Sequence, residues 1–300
     1  MSLDFTGKVV IVTGAGGGLG RSHALEFARR GAKVVVNDLG GSVDGSGGSS
    51  DAANAVVEEI KAAGGDAISN GSSVTDDKGV AHMIDQTMSA FGRIDVLVNN
   101  AGVLRDKSFA KMEIGDFSFV VDVHLMGSVK PTKAVWGIMK DQGYGRILVT
   151  SSSSGLYGNF GQSNYGAAKM GVVGFINTLK LEGQKDNIHV NALAPIAWTR
   201  MTSNLMPPEA EAMLSAERVT PAAIFMCSEQ APTGKIICAG AGTFAAAHIV
   251  ETHGMHLGAN PTAEQVADNW EEISKVDDRI RIPFQGGDQS AHFFKLAMES

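Results

Sequence analysis

Thiols are nearly absent. Cys227 and Cys238 are the only two cysteines in 300 residues. They lack metal-ligand spacing and cannot form a disulfide framework, so the expectation is two buried thiols in a reducing compartment and no metal site. Positive charge is also short. The formal net charge is -7, whereas binding nucleic-acid phosphates needs a basic footprint. No run of like charges suggests a tail. No apolar run reaches membrane-spanning length. The first residues, MSLDFTGK, lack a basic region followed by an apolar stretch. The last four, Ala297-Met298-Glu299-Ser300, are not a peroxisomal address. The expected location is therefore cytoplasmic. Internal repeats are missing too, and no linker separates a second folded domain.

What the chain has in abundance is glycine. There are 37, concentrated at 14–20 and 40–48, against a globular balance of 44% hydrophobic and 19% charged residues. Strand and helix patterns alternate around these clusters. Strands are expected at 8–13 (KVVIVT), 33–37, 67–70, 94–98, 146–150, 188–193 and 235–239. Helices are expected at 20–30, 51–63, 78–91, 117–141, 167–184, 220–228 and 261–275, and 39–50 reads as a long Gly/Ser loop. A β-branched run such as KVVIVT suits a strand buried on both faces. Repeated β–α alternation with right-handed crossovers implies a doubly wound parallel sheet in a three-layer α/β/α sandwich. The expected organisation is one dinucleotide-binding domain over 1–242 that includes the catalytic site. A mostly helical C-terminal appendage, 243–300, would pack on it.

Three features carry chemistry. Tyr165 and Lys169 are four residues apart, one helical turn on the same face. A phenol ionises near pH ~10 and is a poor base at neutral pH, but a nearby ammonium favours the phenolate. Such a pair can take a proton from an alcohol while a hydride leaves its carbon. The second feature is Thr13-Gly14-Ala15-Gly16-Gly17-Gly18-Leu19-Gly20, which follows the first strand and opens the first helix. That is the context of a pyrophosphate-binding turn. Asp38 ends the second strand, where a carboxylate accepts hydrogen bonds from adenine-ribose hydroxyls and repels a 2′-phosphate, favouring NAD over NADP. Arg21 lies near enough in sequence to neutralise it. Third, Asn99-Asn100-Ala101-Gly102 ends the fourth strand, a position suited to a ligand crevice.

Together TGAGGGLG at 13–20, NNAG at 99–102, Ser152 and YGAAK at 165–169 resemble the short-chain dehydrogenase/reductase family, with Ser152 thirteen positions before Tyr165. The resemblance covers about four-fifths of the chain. VVVNDLGG at 34–41, NNAGVLRDKSF at 99–109, VHLMGS at 123–128, YGNFGQSNY at 157–165 and NPTAEQVADNW at 260–270 are similar to one subgroup. Its members oxidise (3R)-hydroxyacyl-CoA thioesters with NAD and act on 17β-hydroxysteroids.

The resemblance implies a Rossmann-type fold and reversible hydride transfer between a secondary alcohol and NAD. Ser152, Tyr165 and Lys169 are the implied catalytic groups. His124 stands where most relatives have Asn. It relays protons, holds a water through its backbone, or only packs. Implied cofactor contacts are Gly14, Gly16, Gly18, Leu19, Gly20, Asp38, Asn100, Ala101, Gly102, Tyr165 and Lys169. Ser73 and Val74 would stand at the adenine, and Pro195, Ile196 and Thr199 at the nicotinamide. Asn191 reads as structural. Tyr157, Phe160, Trp198, Met201, Leu205 and Met206 are the expected substrate walls, with 197–208 as a lid over an acyl-CoA or steroid. Ala167, Ala168, Gly171 and Gly174 would let a helix approach its two-fold mate, so a homodimer or homotetramer is expected. The competing readings are a catalytically silent NAD(H)-binding redox sensor and an NADPH-dependent carbonyl reductase.

Overall fold

The computed structural model describes residues 3–199 and 211–299. Elements follow in the order β1 (Val9–Thr13), α1 (Gly18–Arg29), β2 (Lys33–Asn37), α2 (Asp51–Ala62), β3 (Asp66–Asn70), α3 (Asp77–Phe91) and β4 (Val96–Asn99). Next come α4 (Ile114–Val121), α5 (Gly127–Gln142), β5 (Gly145–Thr150), α6 (Ser153–Tyr157), α7 (Ser163–Gly183) and β6 (Ile188–Ile196). After them lie α8 (Thr220–Met226), β7 (Ile236–Gly240), β8 (Thr243–Ala247), α9 (Ala263–Asp268), α10 (Trp270–Ile273) and α11 (Gly286–Glu299).

The strands form one sheet in the order β3-β2-β1-β4-β5-β6-β7-β8. Every pair from β3 to β7 is parallel, for example Val10↔Val34 and Val10↔Val96. All five residues of β1 are buried, because helices cover both faces. Phe27 of α1, Val56 and Ile60 of α2 and Ile224 of α8 share one core with the sheet. On the other face α3 packs with α5, and α4 with α7. The strand order reverses between β1 and β4, which opens a crevice at their carboxyl ends.

Three departures from the sequence pattern matter. The helix expected over 117–141 is interrupted by a π-helical turn, Asp122–Met126. One extra residue in that turn shifts the periodicity without destroying it. The helix expected over 261–275 breaks at Asn269 into α9 and α10. Strand β8 follows β7 through Ala241 (φ 51) and Gly242 (φ 76), consecutive left-handed residues that make a two-residue hairpin turn. Its TFAAA sequence carries almost no β-branched signal.

By contacts the chain divides into Met1–Ala246 and Ala247–Ser300. Within the second unit, Glu251 and Arg281 pair as an antiparallel bridge and an ion pair at 3.3 Å, and Thr262 with Gln265 forms a capping box on α9. No described residue of 247–299 is buried. Among the described residues, no helix is long and apolar enough to cross a membrane.

Candidate active site

The crevice is a cleft of about 440 Å³ running from Asp38 and Ser73 to Ser152, Tyr165 and Lys169. Its floor is stitched together by Thr13 and Asn100. The Thr13 hydroxyl accepts from the N–H groups of Asn100 (3.0 Å) and Ala101 (3.1 Å). The Asn100 amide donates to the carbonyls of Thr13 and Gly14, both at 3.0 Å. This ties the glycine turn to the end of β4. A Cβ on Gly20 would lie 2.2 Å from the Gly14 oxygen and 2.6 Å from the Asn100 amide, so only glycine fits there.

Gly14, Gly17, Gly18 and Leu19 line the cleft, whereas Gly16 and Gly20 do not. Where they stand a Cβ would meet Ala52 and Asp38 (Gly16) or the Gly14 oxygen (Gly20), so both allow close packing beneath the turn. The Gly16 N–H donates to Asp38 at 2.7 Å, and the Gly40 N–H donates to its other oxygen at 2.7 Å. Gly17, which the sequence reading passed over, is the N-cap of α1 and has no side chain to occupy its free N–H groups. Arg21 does not neutralise Asp38, because its guanidinium pairs with Glu59 at 2.6 Å.

The chemical end rests on α7. Its first turns place Tyr165 and Lys169 on one face, with the Lys169 nitrogen 5.5 Å from the Tyr165 ring centroid. Lys169 is buried and donates to the Thr150 carbonyl at the end of β5. Ser151 donates to the Lys169 carbonyl at 2.8 Å, so that neighbouring hydroxyl fastens α7 to the sheet. Ser152 is the N-cap of α6 and accepts from the Ser154 N–H at 3.1 Å, and its hydroxyl favours the Tyr165 phenolate, lowering that phenol's pKa.

Burial dominates both titrating groups. It pushes Tyr165 up to about 12, with the Asp106 carboxylate acting in the same direction and the Ser152 hydroxyl opposing both. It pulls Lys169 down to about 7. Burial, not Lys169, therefore sets the direction of the Tyr165 shift in this cleft.

His124 sits on the π turn, with its ring edge-on to Tyr165 at 4.9 Å between centroids. Its Nε2 lies 2.8 Å from the Val103 carbonyl and 3.1 Å from the Val103 N–H. Burial holds the imidazole well below its ordinary value, hence neutral. The His124 carbonyl accepts from Ser128 at 2.7 Å, and its Nδ1 is buried without a partner.

Ser73, Val74, Asn100, Ala101, Gly102, Pro195, Ile196 and Thr199 all line the cleft. Asn191 bonds the Pro232 carbonyl at 2.6 Å and the Lys235 N–H at 3.0 Å, as a structural tie. The structure does not bring the expected substrate-wall residues together in the cleft. Tyr157 and Phe160 are 75% and 90% exposed and do not line the cleft; each is followed by a left-handed glycine, Gly158 (φ 82) and Gly161 (φ 81). Trp198 is half-buried and does not line it either. Met201, Leu205 and Met206 lie outside the described residues. From the loop 156–162, expected as a wall, Asn159 and Gln162 line the cleft, together with Ser154 and with Val43 and Gly45 of the Gly/Ser loop.

An open glycine turn at a helix N-terminus, a carboxylate at the end of β2 and a Ser–Tyr–Lys set in one cleft together fit a nicotinamide dinucleotide. The orphaned Nδ1 of His124 and Oγ1 of Thr150, both on lining residues, add polar atoms for a ligand to satisfy.

These features define an oxidoreductase acting on CH–OH groups, and the comparisons agree. The short chain dehydrogenase family model matches residues 8–210, and the chain belongs to that family. It is 48% identical over 279 residues to peroxisomal multifunctional enzyme A of Dictyostelium discoideum, covering 93% of this chain and 62% of that protein. It is 47% identical over 270 residues to the putative short-chain type dehydrogenase/reductase Rv0148 of Mycobacterium tuberculosis, covering 90% and 94%. Full-length peroxisomal multifunctional enzyme type 2 from Drosophila melanogaster superposes with a TM-score of 0.82 at 36% identity. That match covers 99% of this chain and 50% of that one. A 7α-hydroxysteroid dehydrogenase complexed with NADH and 7-oxo glycochenodeoxycholic acid gives 0.72 at 29% identity, covering 80% and 95%. The chain thus spans only part of the multifunctional enzymes it matches.

Proposed function

We propose that this chain oxidises a secondary alcohol with NAD, reversibly, and that the alcohol is a 3-hydroxyacyl-CoA-type thioester or a hydroxysteroid. The observation that carries the reading is the convergence of Ser152, Tyr165, Lys169 and Asp38 on one cleft.

An oxidised nicotinamide supplies the hydride acceptor and a positive charge that favours the phenolate. Tyr165 accepts the hydroxyl proton of the substrate, and Ser152 holds the same oxygen by a hydrogen bond as charge develops. Lys169, fixed by the Thr150 carbonyl, would hold the nicotinamide-side ribose. Asp38 favours NAD, since Arg21 is engaged elsewhere and a 2′-phosphate would meet a carboxylate. Of the small residues expected at a two-fold contact on α7, Ala167 and Gly174 are exposed, Gly171 is half-buried and Ala168 is buried, so the homodimer reading rests on the exposed pair alone.

The silent-sensor reading is weaker, because both the phenol and the amine are in place. Steady-state rates with NAD and NADP decide, using (3R)-hydroxyacyl-CoAs and 17β-hydroxysteroids. Turnover with NAD, and a narrower preference in Asp38→Asn, is the expected result. A preference for NADP overturns the role of Asp38, and no turnover of any alcohol leaves the sensor reading.

A further inference from the structure

Gln162 breaks a local rule. It is the N-cap of α7, where Ser, Thr, Asp, Asn or Gly is favoured, and its side chain does not cap the helix. That side chain is instead committed at both ends. Its Oε1 accepts from the Ser154 hydroxyl at 2.7 Å and from the Asn159 amide at 3.1 Å, while its Nε2 donates to the Asp106 carboxylate at 2.7 Å. Two donors on the oxygen and a carboxylate on the nitrogen leave only one amide orientation. The residue is 6% exposed and lines the cleft. It therefore joins three segments around Tyr165: the stretch after β4, α6, and the turn before α7.

The consequence passes through Ser154. Its hydroxyl is held by Gln162, and its N–H donates to the Ser152 oxygen. With that lone pair engaged, the remaining Ser152 proton is free for the phenol. We infer that Gln162, anchored by Asp106, is a positioning residue that fixes the Ser152 hydroxyl against Tyr165. This rests on the reading of Ser152 and Tyr165 as the reacting pair.

Asp106 has a second, electrostatic influence. Its carboxylate disfavours the phenolate, whereas the Ser152 hydroxyl favours it. Among the described residues, the other titratable groups facing Tyr165 are Lys169 on its own helix and His124 on the π turn, while Lys107 and the Arg105–Asp116 pair flank Asp106 in its segment.

Two variants separate the effects. Gln162→Met keeps the volume and removes all three hydrogen bonds. It should lower kcat about tenfold or more with little change in KM for NAD, and move the acid limb of the oxidation profile to higher pH. Asp106→Asn still accepts from Gln162 but loses its charge. It should move the same limb about one pH unit lower. The tyrosine ring-carbon NMR shift of isotopically labelled protein reads the phenol directly. With only three tyrosines, Tyr165→Phe assigns the signal. Opposite displacements in the two variants support the inference. Displacement in one direction, or lost activity with an unmoved Tyr165 titration in both, overturns it. If wild type turns over no alcohol, the proposed function fails, and the NMR titration still decides whether Gln162 sets Tyr165.

Discussion

Buried ionisable groups set how this protein responds to pH. His23 in α1 is fully buried, bonds the Thr220 hydroxyl through Nδ1 at 2.9 Å and has no partner for Nε2. Burial lowers it from 6.5 to about 4. The unfolded chain therefore binds a proton that the folded one refuses between those values. Stability should be fully present above pH 6.5 and fall as pH drops towards 4, by about 3 kcal/mol from this residue. Denaturant titrations at several pH values, wild type against His23→Met, measure it. A flatter profile in the variant is expected, and identical slopes would contradict the assignment. Other residues divide according to how local their cues are. Tyr165, Lys169 and Ser152 were legible because spacing along one helix and one strand end fixes them. The exposure of Tyr157 and Phe160 was not, since apolar character says nothing about which side of a turn a side chain occupies. The role of Gln162 was not legible for the opposite reason: its three side-chain partners, Asp106, Ser154 and Asn159, come together around it only in the folded chain.

The β2–α2 connection shows what a single element adds. Its neck closes where Ser49 donates to the Leu39 carbonyl at 3.0 Å. Its tip crosses to the segment after β4. There the Val43 carbonyl accepts from the Leu104 N–H at 2.9 Å, and the Asp44 carbonyl accepts from Arg105 at 3.1 Å. Gly40, at φ 73, stands where a Cβ would lie 1.7 Å from the Ser49 oxygen. Gly40→Ala should open the neck and weaken dinucleotide binding roughly tenfold, about 1.4 kcal/mol, as read by calorimetry. Unchanged affinity would mean the loop is not a wall of the cofactor site. Composition marked this loop as long and rich in Gly and Ser, and its hydrogen bonds to distant backbone make it an ordered strap. The π turn escaped notice because one inserted residue leaves the apolar stripe of a long helix almost intact. Helix α11 was missed too, lying beyond the last pattern read as helical.

At the level of the molecule, alternating strand and helix signals were sufficient for the seven parallel strands, though not for β8, because right-handed crossovers leave few ways to order parallel strands. The C-terminal unit behaves differently. It has helices but no buried residue among those described, and Trp270, Val276 and Phe294 are 60%, 73% and 66% exposed. Without a core, apolar burial cannot offset the entropy of ordering the chain. Residues 247–300 produced alone should show no cooperative thermal transition by circular dichroism. A sharp transition would show that the unit carries its own core.

The central claim is that Tyr165 takes the proton from the alcohol within a cleft that also holds the dinucleotide. Pre-steady-state reduction of NAD by a 3-hydroxyacyl-CoA, compared between wild type and Tyr165→Phe, tests it most directly. Dinucleotide affinity is measured in parallel. The account predicts a hydride-transfer rate lower by about a hundredfold or more in the variant, with NAD bound nearly as well. An unchanged transfer rate in Tyr165→Phe would contradict it.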